Sequence, residues 1–226
     1  MSIQMMPWCP AAVLFDLDGT LIDSAPDLAA AAEKMRADRG MPLKGEAAYR
    51  HMTGAGARGL LEVAFGSVPQ DEEFEALKKE FLDNYESMLT VRTRPFDGVD
   101  VLLLALQSHN LPWGIVTNKS ERFTLPIVAQ TPALAAAGAV VGGDTTAHAK
   151  PHPAPLLEAA RRLGVEATQC VYVGDDERDV VAGKAAGMKT VAACYGYLGK
   201  QSNPIDWCAD HLIDQPIDLL KWLVLP

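Results

Sequence analysis

The chain is short of cysteine, of basic residues and of long apolar runs, and each shortage removes a class of protein. Its four cysteines among 226 residues, Cys9, Cys170, Cys194 and Cys208, form no CxxC pair and no compact framework, so free thiols in a reducing compartment are expected rather than a disulfide scaffold. Twenty Lys and Arg against 29 Asp and Glu leave a formal charge of −9 and a pI near 5.0. That field repels nucleic acid and anionic membranes, and neither is an expected partner. An anionic substrate would need positive charge supplied locally. The apolar run Val101 to Leu106 is far too short to span a bilayer, and Met1 to Pro10 has no basic, then apolar, export pattern. A cytoplasmic location is expected. Internal repeats, low-complexity tracts and long flexible linkers are missing too. What remains, at 49% hydrophobic residues, is ample for a core in one large domain or in a medium domain carrying an insert.

The rest of the chain is organised around Val13-Leu14-Phe15-Asp16-Leu17-Asp18-Gly19-Thr20. An apolar run of strand formers ends in two carboxylates at i and i+2, followed by a Gly that permits a sharp turn. The two acids share a face if the chain stays extended, and lie close together even if it turns between them. A surface Asp-Gly turn needs only one Asp. Two crowded carboxylates call for a cation.

After Thr20 the character becomes helical. Ser24-x-x-Asp27 has the form of a capping box, with Pro26 in the first turn, and the Ala-rich run ends at Gly40. From Glu46 to Thr90 the periodicity stays helical, with Leu60, Leu61, Ala64 and Phe65 in one group and Phe74, Leu77, Phe81, Leu82 and Tyr85 in another. Beyond Phe96, helical stretches alternate with short apolar strands at Trp113–Val116, Ala139–Val141, Cys170–Val173, Thr190–Ala193 and His211–Ile213. This is the pattern of a parallel sheet. The expected fold is therefore α/β, a Rossmann-like parallel sheet with helices on both faces. A helical cap, residues 24–92, is inserted after the first strand of a core made of residues 1–23 and 93–226.

Ligands of such sheets bind beyond the carboxyl ends of the strands. There the chain carries Thr117-Asn118-Lys119, then Lys150-Pro151, then Gly174-Asp175-Asp176-Glu177-Arg178-Asp179. Taken singly, these residues read as a turn Thr, a solvated Lys and helix-capping acids. Taken in order with Asp16-Leu17-Asp18-Gly19-Thr20, they resemble the four motifs of the haloacid dehalogenase-like hydrolases, whose phosphatase members hydrolyse phosphate monoesters with Mg²⁺. The resemblance implies that Asp16 attacks phosphorus to form an aspartyl-phosphate, and that Asp18 protonates the leaving oxygen and later deprotonates the attacking water. It implies Mg²⁺ held by the Asp16 carboxylate, the Asp18 main-chain carbonyl and the Asp175 carboxylate. Thr117 and Asn118 would donate to the phosphoryl oxygens, and Lys150 would offset their charge. Asp176 and Asp179 either hold metal-bound water from an outer position or cap a helix.

The insert's position is similar to that of the helical-cap subgroup, and Gly56-Ala57-Arg58, Val116-Thr117-Asn118-Lys119 and Tyr195-Gly196-Tyr197 most resemble phosphoglycolate phosphatases and N-acetylmuramic acid 6-phosphate phosphatases. The implied substrate is a small phosphorylated metabolite, with sugar phosphates as the alternative to phosphoglycolate, and the implied assembly a monomer or homodimer. A phosphomutase like β-phosphoglucomutase would use the same motifs. A dehalogenase is disfavoured because Asp18 is intact. Gly54-Ala55-Gly56-Ala57-Arg58-Gly59 formally matches a dinucleotide fingerprint, but no strand precedes it and Asp71-Glu72-Glu73 opens a helix. It is read either as a Gly-rich turn between helices or as a substrate loop in which Gly56 and Arg58 set specificity. His148 and His152 sit four apart, but Pro151 and Pro153 break any helix that would align them. Trp8, Trp113 and Trp207 are assigned to packing, and His51, His109 and His211 to surface or packing positions.

Overall fold

The computed structural model describes residues 8–66, 72–199 and 203–225; Asp71 and the first seven residues of the N-terminal segment considered above lie outside these. Strand β1 (Ala12–Phe15) leads to a two-residue strand β2 (Ile22–Asp23) and to helices α1 (Ala25–Asp38), α2 (Ala47–Arg50), α3 (Gly56–Phe65) and α4 (Glu72–Glu86). A second two-residue strand, β3 (Arg94–Pro95), brings the chain back. Then follow α5 (Val99–Ser108), β4 (Trp113–Val116), α6 (Glu121–Gln130), β5 (Ala139–Val141), α7 (Ala154–Leu163), β6 (Cys170–Gly174), α8 (Glu177–Ala185), β7 (Lys189–Ala193) and β8 (His211–Ile213).

Six strands make a parallel sheet in the order β5-β4-β1-β6-β7-β8. The fold is the expected α/β, Rossmann-like one. Strands β1, β4 and β6 are buried along their whole length, which is why they read as unbroken apolar runs: helices cover both faces. β1 lies between β4 and β6, and the order of strands reverses beside it, so Asp16 emerges at the switch point where a ligand crevice forms.

α1 packs on α3 and α4, and the two apolar groups read from the sequence meet in one cluster with the sheet, in which Leu60, Leu61, Ala64, Phe81 and Tyr85 join Phe15 and Ile115. Strands β2 and β3 pair antiparallel, Ile22 with Pro95 and Asp23 with Arg94, where the chain leaves for the helices and returns. Two-residue strands carry no alternation, so nothing in the sequence marks this ribbon.

The capping box expected at α1 is not formed. Ser24 gives its hydroxyl to the Asp18 carboxylate, and no side chain caps the helix. Asp27 instead accepts from the Arg92 and Thr93 amides at 3.0 and 2.8 Å and from the Thr93 hydroxyl at 2.7 Å, tying α1 to the returning chain. Tertiary partners outcompeted the local cap. Among the described residues no helix is long and apolar enough to cross a membrane, and the four cysteines are unpaired.

His211 is a packing residue, in a stack on Trp222 with ring centroids 3.9 Å apart and against Trp8 at 4.8 Å. Burial pushes its pKa below the ordinary histidine value, against the pull of Asp210. The folded state thus favours the neutral ring, and the stability this contributes is complete above the unfolded pKa of about 6.5 and is lost as pH falls below it. Urea midpoints of the parent chain and of His211→Phe should diverge as pH drops from about 7.5 to about 5.5, the parent losing more. Parallel profiles would refute this.

Candidate active site

Three strand ends and one loop build the site. Asp16 follows β1, anchored by its amide, which donates to the Val173 carbonyl at 2.8 Å. Thr117 and Asn118 follow β4, Asp175 follows β6, and Lys150 comes from the loop after β5. Asp16, Asp175 and Asp179 each present a carboxylate oxygen within 4.8 Å of the others. Lys150, buried beneath them, stands 2.9 Å from Asp16 Oδ1 and 2.7 Å from Asp179 Oδ1, and also donates to the Val116 carbonyl and the Tyr172 hydroxyl. Asn118 does not point its amide into the crevice: Nδ2 donates to the Lys150 carbonyl and Oδ1 accepts from the Lys150 amide, both at 2.9 Å, fixing the loop. Thr117 Oγ1 accepts from the Lys119 amide at 3.2 Å.

The closeness of these groups depends on glycine. Gly19 has φ of +87°, and a Cβ there would overlap the Asp175 carboxylate. Asp175 accepts from the Thr20 hydroxyl at 3.0 Å and from the Tyr197 amide at 2.6 Å, so its rotamer is locked.

Charge is unbalanced here. Three buried carboxylates face one ammonium, and burial, with Asp179 and Asp18 adding to it, pushes Asp16 up to about 7 although Lys150 pulls the other way. Burial and the Asp16 charge hold Asp175 well above the carboxylate range. Asp16 Oδ1, although close to Lys150, accepts no hydrogen bond of good geometry. A hard divalent cation with oxygen ligands, as Mg²⁺ is, fits this donor set: it would bind the clustered carboxylates and cancel the excess charge. Asp179 already pairs with Lys150 and accepts from Tyr172 and from the Asp176 amide, both at 3.1 Å. Asp176 and Asp179 form a capping box on α8, and Asp176 also pairs with Arg178 at 2.7 Å.

Asp18 stands apart from the carboxylate cluster. Both its oxygens lie 2.9 Å from Lys119 Nζ, and Ser24 donates to one of them. The crevice opens into a cavity of about 380 Å³ between the strand ends and the helices, with Asp16, Asp18, Gly56, Phe81 and Tyr85 among its walls. Gly56 thus faces the cavity. Arg58 lies two residues further along α3, its guanidinium carbon 3.8 Å from the Phe74 ring centroid.

A family model described as haloacid dehalogenase-like hydrolase matches residues 13–193, which takes in every strand-end residue named above. The chain belongs to the haloacid dehalogenase-like hydrolases. Within that superfamily it is 49% identical over 210 residues to a phosphoglycolate phosphatase of Xanthomonas campestris pv. campestris, covering 93% of this chain and 95% of that one. It is 42% identical over 212 residues to an N-acetylmuramic acid 6-phosphate phosphatase of Pseudomonas aeruginosa, covering 94% of each. The crystal structure of a predicted phosphoglycolate phosphatase from Haemophilus somnus superposes with a TM-score of 0.81 at 29% identity, over 93% of this chain and 96% of that one.

Several groups around this hydrolase site had no role assigned from sequence. Lys119, which in the sequence is only the end of the string Thr117-Asn118-Lys119, holds Asp18. Arg178 donates to the Gly54 carbonyl at 2.6 Å and so ties the strand-end loop to the Gly-rich turn. The Tyr197 hydroxyl receives the Ser24 and Ala25 amides at 2.6 and 2.9 Å. A tyrosine in an apolar string carries no mark of such a partner.

Proposed function

We propose that this phosphatase of the haloacid dehalogenase-like superfamily hydrolyses the phosphate monoester of a small metabolite, of the phosphoglycolate type, through phosphoryl transfer to Asp16. The observation that carries the reading is the buried Asp16 carboxylate, ion-paired with Lys150 and clustered with Asp175, opening on a cavity that Asp18 also lines. An Asp16 oxygen attacks phosphorus as the ester bond breaks. Asp18 delivers a proton to the departing oxygen, then takes one from the water that releases phosphate from Asp16. Lys119 and Ser24 fix the Asp18 rotamer, and one Asp18 oxygen must leave the Lys119 contact to carry that proton.

Asp16 and Asp175, with the Asp18 main-chain carbonyl, would hold Mg²⁺, which when bound neutralises charge on the phosphoryl oxygens. Lys150 offsets the remainder, held in place by Asp179. Thr117 would donate its hydroxyl to the phosphoryl group and Asn118 its main-chain amide. Residues 24–92 are read as a helical cap over a core of residues 1–23 and 93–226. Gly56 would set specificity from the cavity wall, and Arg58 through its contact with Phe74. Action on a diffusible metabolite in the cytoplasm, as monomer or homodimer, belongs to the same reading.

The size and apolar lining of the cavity, about 380 Å³ with Leu60, Phe81 and Phe123 in its wall, favour a second reading. A sugar-sized leaving group, as in N-acetylmuramic acid 6-phosphate, fills such a space better than glycolate does. A phosphate-release screen over phosphomonoesters, with Mg²⁺ and with EDTA, decides. One of these two esters should reach a kcat/KM of about 10⁴ M⁻¹ s⁻¹ or more, with EDTA abolishing release. No release from any ester would sink the proposal. Activation by a bisphosphate without net phosphate release would indicate a phosphomutase instead.

A further inference from the structure

Among the described residues five buried side-chain polar atoms have no hydrogen-bond partner, and three of them, Asp16 Oδ1, Thr53 Oγ1 and Tyr85 Oη, belong to residues that line the same cavity. Buried hydroxyls are normally satisfied, because leaving one bare forfeits its hydration without return. Asp16 is accounted for by the proposed chemistry. Thr53 and Tyr85 are not. They lie on the helical side of the cavity, Thr53 in the turn before α3 and Tyr85 near the end of α4, and they are 6% and 1% exposed.

Tyr85 is protonated at neutral pH, since burial pushes its phenol up to about 12. Lys119 lies against it, its Nζ 4.9 Å from the ring centroid and in contact with the phenolic oxygen. An ammonium only donates, so it cannot take the phenolic proton. Tyr85 therefore offers a hydrogen bond that requires an acceptor from a ligand. Leu60 and Phe81, also in the wall, are apolar and suit a carbon skeleton.

We propose that Tyr85 and Thr53 are specificity-determining residues, whose hydroxyls bind oxygen atoms of the leaving group. The substrate class that fits is the phosphate ester of an alcohol bearing further oxygen functions, carboxylate, carbonyl or hydroxyl, on a short carbon frame. Aryl and simple alkyl phosphates leave both hydroxyls bare and are disfavoured, as sites built to hydrogen-bond a substrate reject analogues without the matching group. This assignment rests on the phosphomonoesterase reading of the same cavity.

The test compares Tyr85→Phe and Thr53→Val with the parent chain on 2-phosphoglycolate, N-acetylmuramic acid 6-phosphate and phenyl phosphate. Tyr85→Phe should lower kcat/KM by about 10- to 100-fold on the better oxygen-bearing ester and by less than about 3-fold on phenyl phosphate. Thr53→Val should act in the same direction, and Thr53→Ser, which keeps the hydroxyl, should restore most of the loss. Equal losses on both kinds of ester, or none on either, would overturn the assignment. Calorimetric binding of the three esters to Asp16→Asn protein, with and without Tyr85→Phe, gives a readout independent of turnover. If the parent chain hydrolyses nothing, yet the oxygen-bearing esters bind in a Tyr85-dependent way, the phosphatase reading falls and the subsite stands. Binding that ignores Tyr85, or no binding, removes the subsite.

Discussion

Asp16→Asn is expected to lower kcat by about 10⁴-fold or more with no loss of fold, because an amide cannot accept the phosphoryl group and nothing else in the cavity can replace it. Asp18, the other acid of the proposed chemistry, is held by Lys119 and Ser24. Asp175 is locked in one rotamer by Thr20 and Tyr197. The fold should survive for an equally specific reason. Asn has the shape of Asp, the Asp16 amide keeps its bond to Val173, and Lys150 retains Asp179, the Val116 carbonyl and Tyr172. Removing one of three crowded carboxylates relieves repulsion that now raises the Asp16 pKa, which offsets the weaker hold on Lys150. Thermal melts and steady-state phosphate release on the purified variant check both halves. Turnover above about one per cent of the parent's in clean protein would remove Asp16 as nucleophile.

Removing the metal should have the second largest effect. EDTA is expected to abolish turnover and to lower Tm relative to protein in Mg²⁺, a cation at about a hundredfold excess over its Kd contributing about 2.7 kcal/mol. Asp175→Asn should lose about 10³-fold in kcat and most of the Mg²⁺-dependent rise in Tm, since a neutral amide leaves the site one anionic ligand short. The sign of the pH dependence follows from the raised pKa of Asp16. Its folded value, about 7, lies above the ordinary 3.8, so the protonated form is the one the metal-free fold prefers. Stability from this group is present below the unfolded pKa and is lost as pH rises toward 7; a bound cation would restore it by replacing the proton. An Asp175→Asn protein that kept the full Mg²⁺ shift in Tm would rule out Asp175 as a ligand.

Much of this is legible in the sequence. Strands buried on both faces must be apolar throughout, so β1, β4 and β6 announced themselves, and a charged or Gly-rich break after each marked where the chain reaches the sheet's edge. The helical stretch after Thr20 was visible from its periodicity. Ser24 and Asp27 show the limit: their spacing is that of a cap, yet in the fold they serve Asp18 and the returning Thr93. A local motif records what a side chain can reach along the chain, not what approaches it from elsewhere. The β2–β3 ribbon was missed for a related reason, since its pairing lies between residues some seventy positions apart and each strand is two residues long.

By itself the order of residues determined the α/β architecture, the family and which acids, hydroxyls and amines could meet at the strand ends, because hydrophobic period and strand-end polarity are local properties of the chain. Only the tertiary structure decided the partners: Lys119 on Asp18 across 101 positions, Arg178 on Gly54 across 124, the Asn118 side chain spent on the Lys150 loop, and two hydroxyls left bare over the cavity. Which polar group satisfies which depends on distances that exist once the sheet and the helices have packed, and no spacing along the chain encodes them.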